Sequence, residues 1–156
     1  MVAVRLPWAV AGTPARLGDE SGWLMDAKVM DAMSGEAMTM RGAPAVDMDL
    51  MQACIDACSA CEQACTVCAT QLMSCAPACM NCADMCGTMM RAMLRMQGMT
   101  PAVMTAMLDA CIAMCQQCMD ECMEHTGDAV CMMCAQACQA CMDACAAVKD
   151  AIAAAA

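Results

Sequence analysis

Residues 51–68 read MQACIDACSACEQACTVC, and cysteines recur in them at intervals of four, three, four and three residues. An α-helix turns once every 3.6 residues, so this spacing aligns the thiols along one helical face. Three later stretches repeat the pattern, and the four stretches together contain all 18 cysteines. The four groups are Cys54, Cys58, Cys61, Cys65 and Cys68; Cys75, Cys79, Cys82 and Cys86; Cys111, Cys115, Cys118 and Cys122; and Cys131, Cys134, Cys138, Cys141 and Cys145.

Side chains repeated at this spacing on consecutive helices normally face the core of a bundle. The chain has 156 residues, 62% of them hydrophobic, with no Phe or Tyr, so Cys, Met, Ala and Leu must fill the core. We predict an all-α, antiparallel, up-down-up-down four-helix bundle with a cysteine-lined core, its helices about 23 to 26 residues long, or roughly 35 to 39 Å. Such small core side chains predict a marginally stable metal-free form.

Capping signals place the first hairpin. The bundle is predicted to begin near Asp47, and helix 1 to end at about Thr70. Ser74 is the predicted N-cap of helix 2, with Pro77 in its first turn, where a missing N–H is tolerated. Because Leu72 continues the heptad without a break, one long kinked helix is the alternative to this hairpin.

Glycine and proline mark the later boundaries. Helix 2 is predicted to end at Gly98. Thr100 is the predicted N-cap of helix 3, and Pro101 is its predicted first residue. Gly127 and Asp128 are predicted to close helix 3 and to cap helix 4 in the same way.

Residues 1–46 differ in composition from residues 47–156, because they lack cysteine and are interrupted by glycine and proline. We predict a poorly structured N-terminal leader with at most one short helix, over residues 23–33, followed by the bundle domain. The leader has neither a continuous apolar run nor a twin arginine, so we expect a cytoplasmic protein with reduced thiols. In a reducing compartment such thiols indicate metal binding or catalysis rather than disulfides.

The net charge of −10, with only seven Lys and Arg, argues against a nucleic-acid partner. No uncharged apolar run reaches the roughly 18 residues of a membrane-spanning helix, so no membrane association is expected. Catalysis is also not expected, since the chain has one histidine and 18 near-equivalent thiols do not define a nucleophile.

Thiolates are soft ligands that select Cu(I), Zn²⁺ or iron–sulfur clusters. Structural zinc sites and iron–sulfur clusters use ligands on loops or knuckles, which long regular helices do not supply. Cu(I) accepts two or three thiolates, and one ion per thiolate leaves the core neutral. We therefore predict that multiple Cu(I) ions bind in the core. An iron–sulfur electron-transfer protein and a zinc–thiolate buffer are the alternatives, whereas cysteines one turn apart pair poorly as disulfides.

Alternating helix directions give the predicted core two unlike ends. One end is apolar and contains Leu50, Met51, Met89, Met93, Met96, Met104, Leu108, Val148 and Ile152. The other contains Cys68, Leu72, Cys75, Cys122, Cys131 and His125, the only histidine. We predict that copper enters at the His125 end, with neutral His125 passing Cu(I) to the outermost thiolates. The alternative is that His125 only interacts with the C-terminal carbonyls of helix 3.

The segments CIDACSACEQACTVCA, NCADMC, MLDACIAMCQQCMDECMEH and CMMCAQACQACMDAC resemble the bacterial copper storage proteins, which are cysteine-lined four-helix bundles that bind Cu(I). The resemblance spans residues 51–148. It implies a homotetramer, a tube that loads many Cu(I) ions, and the cytosolic rather than the exported branch of the family. Cytosolic members usually carry further histidines between helices 3 and 4, whereas HTGDAVC here contains only His125.

Overall fold

The structure is a computed structural model that describes residues 39–43, 46–71 and 74–155, and in these ranges it contains helices and no strands. The helices are α1 (Met48–Gln71), α2 (Ala76–Met93), α3 (Pro101–Met123) and α4 (Ala129–Ala154), with a 3₁₀ turn at Met96–Gly98. The predicted all-α fold is confirmed. The predicted helix at residues 23–33 and the residue Leu72 lie outside the described ranges.

Contacts between thiols show the helix directions. Cys54 Sγ lies 3.6 Å from Cys145 Sγ, and Cys68 Sγ lies 3.7 Å from Cys131 Sγ, so α4 runs opposite to α1. Cys68 Sγ also lies 3.6 Å from Cys75 Sγ, which immediately precedes α2, so α1 and α2 form a hairpin rather than one kinked helix. Helices α1 and α3 each pack against both α2 and α4. The up-down-up-down bundle is therefore confirmed.

The core consists of six layers of four fully buried residues. Each helix contributes one residue to every layer, except that in layer 1 Cys75, which immediately precedes α2, takes the place of an α2 residue. The helical spacing of three and four residues defines the layers. Numbered from the end near His125, they are layer 1 (Cys68, Cys75, Cys122, Cys131), layer 2 (Cys65, Cys79, Cys118, Cys134), layer 3 (Cys61, Cys82, Cys115, Cys138), layer 4 (Cys58, Cys86, Cys111, Cys141), layer 5 (Cys54, Met89, Leu108, Cys145) and layer 6 (Met51, Met93, Met104, Val148). Cysteine thus fills four layers completely and half of a fifth.

A segment before α1 packs at the far end of the core, beyond layer 6. Met40 and Val46 are buried in the same core cluster as Met96 and Ile152. The backbone N–H of Arg41 donates to the carbonyl of Met99 at 2.9 Å. The predicted apolar end is therefore confirmed, with Met40 as an addition. The division between leader and bundle at residue 46 stays a prediction.

Two predicted helix ends are wrong. α2 has 18 residues and ends at Met93, because the backbone leaves the helical region at Arg95 (φ −132°, ψ 35°) and continues into the 3₁₀ turn. α3 ends at Met123, before Gly127. A glycine C-cap needs a positive φ, and among the described glycines only Gly42 has one, at 82°.

Two of the three predicted N-caps are confirmed and one is wrong. Thr100 accepts a hydrogen bond from the N–H of Val103, and Asp128 accepts from Val130 and Cys131, as predicted. Ser74 is not the cap of α2. Cys75 occupies that position in a helical conformation without a side-chain cap bond. The Ser74 hydroxyl instead contacts the His125 ring.

Helices α3 and α4 are each long and apolar enough to cross a membrane, by length and composition alone. Core helices of soluble proteins pass the same test. Both helices here turn their thiols into the bundle core. Their hydropathy is therefore weak support for a membrane location.

Replacing the α4 cap tests how far local capping supports the metal-free bundle. Asp128→Ala leaves the N–H groups of Val130 and Cys131 without their acceptor, so we expect the free energy of unfolding to fall by about 1 to 2 kcal/mol. Urea denaturation of the metal-free protein under reducing conditions measures this change. Asp143→Ala, at an exposed position within α4, is the matched control. Equal destabilisation by both changes would contradict the capping role.

Candidate metal centre

All 18 cysteines are free thiols whose side chains are fully buried. Their stripes meet in the core because each helix has thiols on one face and Ala, Gln, Asp and Met elsewhere. No charged or polar side chain is buried with them among the described residues. The centre of the bundle is therefore a dry column of sulfur.

Within a layer, the sulfur atoms already have the spacing of metal ligands. In layer 3, Cys61 Sγ lies 3.9 Å from Cys82, 4.0 Å from Cys115 and 3.7 Å from Cys138. A metal–sulfur bond of about 2.3 Å places two sulfurs about 3.8 Å apart in a tetrahedral site and about 4.0 Å apart in a trigonal one. Metal could therefore bind with little rearrangement of the backbone.

Most close thiol pairs join different helices rather than successive turns of one helix. Within a helix, the Sγ atoms lie 3.8 Å apart at Cys61–Cys65 and 4.0 Å apart at Cys82–Cys86, whereas most pairs at 4.0 Å or less join two helices. The physical reason is that successive turns of a helix separate side chains by about 5 to 6 Å, whereas facing helices interdigitate. The ligand sets therefore lie across the bundle.

The thiols form one continuous array rather than separate sites. Several sets of four Sγ atoms lie within 4.8 Å of one another, and the sets share members and cross from layer to layer. Such sets are Cys58, Cys111, Cys141 and Cys145; Cys61, Cys65, Cys82 and Cys138; Cys61, Cys86, Cys115 and Cys141; Cys65, Cys118, Cys134 and Cys138; and layer 1 itself. This arrangement suits ions whose thiolate ligands bridge two metals.

Protons are distributed unevenly over the sulfur array. In layer 1, burial is the main cause that raises the pKa of Cys68, Cys122 and Cys131 above the ordinary value of 9.0. In layer 5, hydrogen bonds from Cys145 and Cys58 lower the pKa of Cys54 to about 5. Cys68, Cys122 and Cys131, near the His125 end, are thus protonated at neutral pH in the metal-free protein.

His125 lies at the outer end of layer 1, where the sequence analysis placed it. Its backbone N–H donates to the Cys122 carbonyl at 3.0 Å, and its half-buried ring forms a 3.0 Å hydrogen bond between Nε2 and the Ser74 hydroxyl. The structure therefore brings His125 to the same end as Cys68, Cys75 and Cys131. The contact with Ser74 was not predicted, because it joins two loops 51 residues apart in sequence.

Charged residues are distributed unequally between the two ends. Asp120, Glu121, Glu124 and Asp128 lie in the last turn of α3 and the loop beside His125. All Lys and Arg among the described residues, namely Arg41, Arg91, Arg95 and Lys149, lie towards the opposite end. The potential at the His125 end is therefore negative, which attracts cations.

Comparison with known proteins identifies the metal that suits this centre. The family model described as copper storage protein matches residues 45–150. The chain belongs to the copper storage protein family. Curated proteins gave no match. The family predicted from the cysteine pattern is thus confirmed, and the protein stores copper.

Solved copper storage proteins have a similar fold and a related sequence. Ccsp from Streptomyces lividans loaded with 10 copper equivalents is 34% identical, with a TM-score of 0.68 over 79% of this chain and 98% of that one. A histidine-to-alanine mutant of Ccsp is 36% identical, with a TM-score of 0.64 over 69% and 98%. A cytosolic copper storage protein from the same organism, in a five-copper state, is 36% identical, with a TM-score of 0.61 over 65% and 93%.

Copper loading of this copper storage protein should release protons. Because the raised pKa values keep Cys68, Cys122 and Cys131 protonated at neutral pH, each releases one proton on becoming a thiolate ligand. Lowering the pH should therefore weaken binding at layer 1, by about tenfold per pH unit for each released proton. Chelator competition at pH 6.5, 7.0 and 7.5 measures this slope. Affinity independent of pH would contradict protonated layer 1 thiols.

Proposed function

We propose that the protein binds Cu(I) in bulk through the thiolates of all 18 cysteines and thereby stores copper for the cell. The observation that carries the proposal is the continuous column of buried thiols, with adjacent Sγ atoms 3.5 to 4.0 Å apart. A column of this kind has no separate closed site for one ion. It can hold many ions that share bridging sulfurs.

Charge supports Cu(I) over the divalent metals. A dry core penalises unpaired charge, and each site of four thiolates around Zn²⁺ carries a net charge of −2. One Cu(I) per thiolate instead gives a neutral column, whatever the number of layers. Thiolate softness favours Cu(I) as well. An iron–sulfur cluster would require inorganic sulfide and loops to wrap it, whereas all thiols of layers 1 to 4 except Cys75 lie on regular helices.

The remaining features of the proposal come from the family. We infer a storage protein rather than an enzyme, in the cytoplasm, assembled as a homotetramer. The support for the location is the 36% identity to a structure described as a cytosolic copper storage protein. The tetramer rests on the family resemblance alone. Sedimentation of the intact protein tests it.

An anaerobic titration tests the stored metal. We expect saturation on the order of 15 to 20 Cu(I) ions per chain, because neutrality is reached at one ion per thiolate. The loaded protein should be colourless in the visible, since Cu(I) has a filled d shell, whereas an iron–sulfur protein is brown. Zn²⁺ added in parallel should saturate at far fewer ions. Saturation with four or fewer Cu(I) ions would contradict bulk storage.

We further propose that copper enters beside His125. Its ring is only half buried, and it lies next to layer 1 in the acidic surroundings of Glu124 and Asp128. The opposite end offers no such opening among the described residues, because Met40, Met96 and Ile152 are buried there. A neutral imidazole can hold Cu(I) briefly and pass it to the thiolates of layer 1.

Replacing His125 tests this route. His125→Ala removes the proposed first ligand but none of the thiols, so we expect transfer of Cu(I) from a chelator to slow by about tenfold or more while the capacity stays the same. Stopped-flow mixing measures the rate. Thr126→Ala, at the neighbouring exposed position, is the control. Identical rates for wild type and His125→Ala would leave His125 as a helix-end residue only.

A further inference from the structure

Layers 5 and 6 contain thioethers in place of most of the thiols. In layer 5, Met89 accompanies Cys54 and Cys145. In layer 6, Met51, Met93 and Met104 come from three different helices. All four methionines are fully buried at the spacing that carries the cysteine stripes. The sulfur column therefore continues past the last cysteine.

Packing alone accounts poorly for these methionines. Leucine and isoleucine fill helical cores with better-defined rotamers, and methionine usually serves as a filler of irregular gaps. Here methionine takes four of the six core-layer positions that are not cysteine, and only Leu108 and Val148 are hydrocarbon. Methionine is frequent throughout the chain, with 24 copies in 156 residues, but layer 6 brings three fully buried methionines into one layer. Their common feature is a neutral, soft sulfur ligand.

Coordination on the outer side of the last thiol pair has a use for such ligands. Cys54 and Cys145 are the thiols of layer 5, with Sγ atoms 3.6 Å apart. An ion on the inner side of this pair can also bind layer 4 thiols, because Cys145 belongs to one set of close Sγ atoms with Cys58, Cys111 and Cys141. An ion on the outer side meets no further thiol, so a third ligand there has to be a thioether. Thioethers add ligands without adding charge. Met89 belongs to the same layer, and Met51, Met93 and Met104 belong to the next.

We propose that layers 5 and 6 form a mixed thiolate–thioether Cu(I) site, in which Met89, Met51, Met93 and Met104 complete the coordination of ions held by Cys54 and Cys145. This inference rests on the proposed Cu(I) storage in layers 1 to 4. Because thioethers are uncharged, the mixed site binds Cu(I) more weakly than the thiolate layers do. It fills last in a titration and loses its ions first to a chelator.

Methionine methyl resonances report on this site directly. We would label the full-length protein with ¹³C at the methionine ε-methyl carbons and add Cu(I), which is diamagnetic. Single Met→Leu variants assign the signals. We expect the methyl signals of layers 5 and 6 to shift in the last part of the titration. The signals of Met142, buried outside the layers, and of the exposed Met80 and Met133 should stay in place.

Capacity provides the second measurement. Met89→Leu and the triple variant Met51→Leu, Met93→Leu, Met104→Leu conserve side-chain volume and remove the sulfur. We expect each to hold about one or two Cu(I) fewer per chain in the presence of a competing chelator. Met142→Leu is the matched control and should retain the wild-type number.

The outcomes separate this inference from the function on which it rests. Unshifted methyl signals and unchanged capacity in the variants, with wild-type filling of the thiolate layers, would overturn the mixed site alone. Failure of the wild type to load more than a few ions would overturn the storage function and the mixed site together.

Discussion

Sulfur-to-sulfur contact in a dry core is the constraint on which the rest of this structure depends. Thiols are small, so four helices can close around four of them per layer with Sγ atoms 3.5 to 4.0 Å apart. The same small volume gives little apolar burial per residue, which predicts a marginally stable metal-free bundle. Metal that replaces the thiol protons cross-links all four helices. The free energy of metal binding then contributes directly to the free energy of folding.

The two ends of the sulfur column differ in the residues that lie beyond the four-cysteine layers. Towards His125 the helices terminate in short loops, Asp128 caps α4 at the loop, and acidic residues face solvent. Towards Val148 the layers change to thioether and hydrocarbon, and Met40 from an earlier segment is buried with them. Larger apolar side chains supply at this end the packing that cysteine cannot. The bundle is thus closed by larger side chains at one end, and the other end is the one that we propose for copper entry.

Sequence reasoning predicted the features that depend on local periodicity and failed where distant segments meet. The thiol stripes and the caps at Thr100 and Asp128 involve neighbours within four residues, so spacing alone identifies them. The end of α2 depends on the path of the chain after Met93, which spacing does not encode, and Gly98 was therefore misread. The burial of Met40 likewise depends on a tertiary contact. The six-layer register follows from the spacing only once the antiparallel order is known.

The hydrogen bond between Ser74 and His125 bears on how a single histidine would act in the proposed copper entry. The bond occupies Nε2, so Nδ1 is the nitrogen that can bind metal without breaking it. A neutral imidazole with a free Nδ1 lone pair carries its proton on Nε2, and that N–H donates to the Ser74 hydroxyl. A partner on the second nitrogen fixes the tautomer and orients the ring of a histidine ligand. In the proposed entry route Ser74 orients His125 for Cu(I), a role that its position before Cys75 in the sequence does not reveal.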